Sequence, residues 1–222
     1  MRASVIVAAA SVVRPRFRGV SHRIAFFLAL PLAVLLSFEV DTAVGRVAAI
    51  VFGTSAAAMF GASALYHGVP WPDDKRRWLR RLDHAGIYAL IAGTYTAVGL
   101  LVLDGAWRTA VLGIVWAGAA AGIALKFLWV DAPKWLSAAI GISLGWVAVV
   151  VFPQIVDGVG IAGAALLLAG GIAYTAGALV YALRRPDPVP AVFGYHEVFH
   201  ALVIVAVAFQ YSTIAFYVLP RH

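Results

Sequence analysis

Residues 161–183 read IAGAALLLAGGIAYTAGALVYAL. No side chain in this run carries a charge, and the run is as long as a bilayer's hydrocarbon requires of an α-helix, about 17–25 residues. A closed β-barrel also satisfies every backbone group in lipid, but it needs stretches of about ten residues that alternate in polarity. This run is far longer and does not alternate. Its glycines and alanines suit helices that approach closely inside a bilayer, where small residues let backbones meet.

Working outward, comparable runs recur at 22–40, 46–67, 83–103, 108–128, 134–155, 159–183 and 195–219. The chain of 222 residues is 63% hydrophobic and 12% charged, with a mean hydropathy of +0.93. Soluble domains are about one quarter charged. The sequence therefore predicts an all-α polytopic membrane protein with seven transmembrane helices and only short connections. Residues 19–222 form one transmembrane domain in this reading, and residues 1–18 form a flexible or interfacial N-terminal tail. The apolar segment Ala3–Val13 after Arg2 also resembles a signal-peptide core. Cleavage there, however, would leave Arg14, Arg16, Arg18 and Arg23 on the outer face.

Lysine and arginine concentrate on the cytoplasmic side of membrane proteins. With the N-terminus cytoplasmic, the inner segments hold 14 of the 17 basic residues, and only Arg46, Arg108 and Arg221 lie outside. The expected topology is thus N-terminus inside and C-terminus outside, in a cell membrane. The net charge of +7 is accounted for by topology, so nucleic acid is not expected as a partner. Membrane lipids are. The connection WPDDKRRWLRRLDH (71–84) reads as an interfacial anchor on anionic head groups.

Ionisable groups at membrane depth cost about 2.5–3.5 kcal/mol for Asp, Lys or Arg at a helix centre, which makes them candidates for function. Most acids here fall in connections, and Glu39 and Asp41 sit at the outer end of the first helix. Asp83 and Glu197 do not. His67 closes the second expected helix, His84 opens the third, and His196 and His200 open the seventh, all on the predicted cytoplasmic side. His196 and His200 are four residues apart, so both face one side of a helix about 5–6 Å from each other. That is how a helix offers two imidazoles to one Zn²⁺. A catalytic zinc takes three protein ligands and keeps one position for water. His67, His196 and His200 would supply the three, and no cysteine competes with them. Asp83 could act as general base, or could pair with Arg80 or Arg81. Ser63, four residues before His67, could support a ligand or a polarised carbonyl, or could simply pack. His22 and His84 read as interfacial residues at head-group level.

SALYH (63–67), RLDHAGIYALIAGTYT (81–96) and HEVFH (196–200) resemble, in order, the signature blocks of the PAQR and hemolysin III proteins, which include the adiponectin receptors. RGVSHRIAFFLALPLAVLL (18–36) is similar to their first helix. The resemblance implies seven transmembrane helices with a cytoplasmic N-terminus and brings helices two, three and seven together around a zinc site near the cytoplasmic leaflet. His67, His196 and His200 would be the ligands, with Ser63 and Asp83 beside them. It also implies membrane homeostasis as a role. The activity it suggests is ceramidase-like hydrolysis of a lipid amide or ester, with a long-chain lipid or free fatty acid as ligand. Two departures stand out: Ala97 occupies a position where the family commonly has proline, and Glu197 is not required by the family pattern.

Three other functions remain open at this point. HEVFH is a literal HExxH, the zinc-protease motif with Glu197 as base, yet no Asp or Glu follows His200 to complete a ligand set. A structural zinc, closed by Asp83, would suit a non-enzymatic membrane-state sensor or a lytic protein. A channel would need more intramembrane charge, and 85–103, 109–125 and 135–152 contain none.

Overall fold

The computed structural model describes residues 15–38 and 40–221. The segment Ala3–Val13 and Glu39 lie outside the described residues. The chain is all-α: α1 (Val20–Phe38), α2 (Ala43–Gly68), α3 (Asp73–Leu101), α4 (Gly105–Leu128), α5 (Lys134–Gly145), α6 (Phe152–Leu183) and α7 (Tyr195–Thr213). Among the described residues six helical stretches are long and apolar enough to cross a membrane. It is a polytopic membrane protein. The outward faces fit that setting: Ile24, Phe27, Leu28, Val34 and Leu35 of α1 are exposed, as lipid-facing residues must be.

Helix α3 lies at the centre, packed on α2 and α4 and touching α5. Ala92 and Ala97 are wholly buried there, and small residues of this kind permit close helix approach. The helix runs unbroken through Ala97, as the absence of a proline allows. Its start differs from expectation. The connection read as 71–84 is helical from Asp73 onward, with Asp73 and Asp74 in the first turn beneath Pro72. Hydropathy ends where charge begins, but helicity does not, because Lys and Arg are good helix formers and acids favour a first turn. Asp83 therefore stands in the third turn of α3 and not at its entrance.

Between the expected fifth and sixth helices, 134–155 and 159–183, no polar loop intervenes. Residues 134–183 form one apolar stretch of 50 residues with a 3₁₀ segment at Trp146–Val151. A straight helix would hold Trp146 and Thr175 about 43 Å apart. Yet Trp146 Nε1 donates to Thr175 Oγ1 at 3.0 Å, so the chain folds back between them. The reversal falls at Gly160, at φ 76° and ψ 170°, a region that only glycine enters without strain.

The segment before α1 is anchored. Arg16 N–H donates to Ala191 O at 3.1 Å and Phe17 N–H to Val192 O at 3.2 Å, which ties residues 15–18 to the connection between α6 and α7.

Candidate metal centre

His67 lies one residue from the end of α2, and His196 and His200 occupy the first two turns of α7. The i, i+4 spacing turns both α7 rings toward α2. The three histidines are buried, and one ligand atom from each lies within 4.8 Å of the other two. His67 Nε2 and His196 Nε2 are 3.1 Å apart. Two nitrogens bound to one tetrahedral ion at 2.0–2.1 Å would be about 3.3 Å apart, close to that spacing. His200 Nδ1 is buried without a partner. Three converging imidazoles, one with an orphaned nitrogen, are a donor set that could hold a divalent metal ion.

Asp83 is buried, with Oδ2 3.5 Å from His67 Nε2 and 4.0 Å from His84 Nε2. The alternative pairing with Arg80 or Arg81 is not found. Arg80 instead reaches Asp131 at 2.6 Å across to the α4–α5 connection, and Arg81 lies over the Trp78 ring. Ser63, 1% exposed, forms a 2.8 Å hydrogen bond with His22 Nδ1.

His22 corrects the sequence reading. It is no head-group residue: it is 2% exposed and its ring stacks on His200 at 3.8 Å between centroids and 10° between planes. It opens α1 at the same end of the bundle as the other histidines, a signal legible in the sequence. His84 is likewise mostly enclosed, facing Asp83 and the Tyr181 ring. A bend at Gly19 (φ +78°) lets the chain enter α1 directly against the site. A Cβ there would come within 2.6 Å of His67 Cβ.

Glu197 stands between the two α7 histidines but is committed elsewhere. Its Oε2 accepts from Gly194 N–H at 2.9 Å, capping α7, and its Oε1 pairs with Arg18 Nε at 2.8 Å. Both contacts hold the entrance of α7 and leave HEVFH without a free carboxylate for a protease-type base. Glu197→Gln would leave Arg18 facing a neutral, buried amide. Its expected effect is a loss of about 3 kcal/mol in stability, at the low end for a broken buried pair because the Arg18 side chain is 21% exposed. Thermal unfolding of the detergent-solubilised variant measures this, with metal content unchanged. A variant of wild-type stability would show that the Arg18 pair does not hold the entrance of α7.

Beside the centre, a largely apolar cavity of about 140 Å³, partly open to the outside, lies between α3, α5, α6 and α7. His84 and His196 form its wall at one end and Gln210 at the other. Between His196 and Gln210, α7 advances about 21 Å. A second lobe of about 70 Å³ shares Thr94, Tyr95, Trp146 and Gln210 with it.

An apolar helical bundle with a buried histidine triad at one end defines a multi-pass membrane protein with a metal-capable centre. The model of the family described as haemolysin-III related matches residues 10–211. Hemolysin-3 of Bacillus cereus is 32% identical over 205 residues, covering 91% of this chain and 90% of that protein. The Hemolysin-3 homolog of Bacillus subtilis (strain 168) is 30% identical over 202 residues, covering 90% and 92%. The chain belongs to the haemolysin-III related family.

Proposed function

We propose that the protein crosses the membrane seven times, with its N-terminus cytoplasmic. In this reading it holds Zn²⁺ on His67, His196 and His200 near the cytoplasmic face of a cell membrane, and hydrolyses an amide or ester bond of a long-chain membrane lipid as part of membrane homeostasis. The fold-back at Gly160 supports the seventh crossing, since residues 134–159 and 161–183 are each long enough to span about 30 Å. The distribution of Lys and Arg supports the orientation.

The observation that carries the hydrolase reading is the adjoining of the triad and the cavity. His196 belongs to both, so a lipid tail lying along α7 would bring its polar linkage to the histidines. A zinc ion bound there supplies Lewis acidity toward water and a carbonyl. Asp83 takes the proton of the attacking water as general base, from a position beside His67. Ser63 acts at one remove: its hydroxyl orients His22, which in turn holds the His200 ring in place.

A second reading rests on the 3.5 Å between Asp83 Oδ2 and His67 Nε2. That spacing also suits a fourth ligand, which would close the site and make zinc a structural tie in a membrane-state sensor or a lytic protein, as the names of the Bacillus relatives suggest. The two are separated by reconstituting the protein with long-chain ceramide-like amides and esters and measuring released fatty acid by mass spectrometry. Release is expected from zinc-loaded protein, to stop on chelation and to return with zinc. Fully loaded protein that releases nothing from any lipid would favour the sensor.

A further inference from the structure

Lys126 is the charged side chain that the metal centre leaves unexplained. It sits in the last turn of α4 and is 2% exposed. Its Nζ donates to the Ser137 hydroxyl on α5. Among the described residues no Asp or Glu pairs with it, and Asp131, in the connection between these two helices, is taken by Arg80. Lys134 offers a contrast: its ammonium lies over the rings of Tyr181 and Tyr195 and donates to the Tyr195 hydroxyl. Lys126 has one neutral hydroxyl for three donors. An ammonium in an apolar setting without a counter-charge is costly, and a site that keeps one is built for an anion.

The anion has a defined place. Lys126 and Ser137 line the same apolar cavity as His84 and His196, and Tyr88 closes on them by donating to the Ser137 carbonyl at 3.3 Å. The rest of the wall offers hydrocarbon contact toward Gln210. We propose that Lys126 and Ser137 form the head-group site for a long-chain amphiphile bearing an oxyanion, a carboxylate or a phosphate monoester, whose tail occupies the cavity. The ammonium contributes charge-assisted hydrogen bonds and the hydroxyl a further donor. This site does not depend on turnover and holds equally if the metal is structural.

The test compares ligands that differ only in the head. Palmitate, hexadecyl phosphate and hexadecanol are titrated against the full-length protein in nanodiscs of neutral lipid by displacement of a fluorescent fatty-carboxylate probe. Wild type is expected to prefer at least one of the two anions over hexadecanol by about ten- to hundredfold. Whichever anion is preferred identifies the head the site accepts. Lys126→Met, which keeps the stem and removes the charge, is expected to abolish the preference while hexadecanol affinity and zinc content stay as in wild type. Asp83→Asn should retain the preference, which separates this site from the hydrolase reading. Equal affinity of wild type for all three ligands, a comparison that needs no variant, would overturn the proposal. So would a preference that survives Lys126→Met.

Discussion

Detergent-purified wild-type protein is expected to carry close to one zinc ion per chain, and His67→Ala, His196→Ala and His200→Ala are each expected to lose it. The three proposed ligands come from two helices separated by more than a hundred residues of chain, so the proposed site would exist only in the folded bundle and each histidine would contribute a third of the protein's donors. Removal of groups that merely orient a ligand typically costs 10–100-fold in metal affinity. Deletion of a ligand itself should exceed about 100-fold, enough to empty the site during purification. Plasma emission spectrometry against protein concentration reads this directly. The control is Ser63→Ala, which removes no proposed ligand and should keep most of its zinc. Full metal in all three histidine variants would show that the triad is a packing cluster.

Much of this centre was legible in the sequence because its pieces are local. Helix length and the absence of charge identify membrane spans residue by residue, and the four-residue spacing of His196 and His200 places both rings on one face wherever the helix lies. What could not be read locally depends on contacts between distant segments. His22 passes for an interfacial histidine until α1 packs on α2 and α7, when its ring meets His200 and its Nδ1 meets Ser63. Glu197 reads as a protease base until Arg18, from before α1, arrives beside it. Lys126 counts as one more cytoplasmic charge until α5 folds against α4 and buries it. The start of α3 was missed for another reason: hydropathy reports where lipid begins, whereas charged residues extend a helix well beyond it. The break read between 155 and 159 falls close to the reversal at Gly160, where a single residue at positive φ makes the bend without a polar loop.

Asp83→Asn is expected to keep its zinc and to lose lipid turnover by about 10²–10⁴-fold, the usual contribution of a positioned general base. The substitution is close to isosteric, so the packing of α3 against α2 is retained in a place where Asp83 is only 9% exposed. An amide still accepts a hydrogen bond but cannot take a proton from water. With three imidazoles intact, metal affinity should change little. The same variant gives the opposite pattern if Asp83 closes the coordination sphere, because an asparagine is a far weaker ligand than a carboxylate. Zinc would then leak from the variant and its thermal stability would fall with it, since a structural metal contributes folding free energy directly. Zinc stoichiometry, unfolding temperature and fatty-acid release measured on one preparation therefore assign Asp83 to one role or the other. Retained metal with unchanged turnover would remove the carboxylate from both, leaving it as a hydrogen-bond partner that fixes the His67 ring.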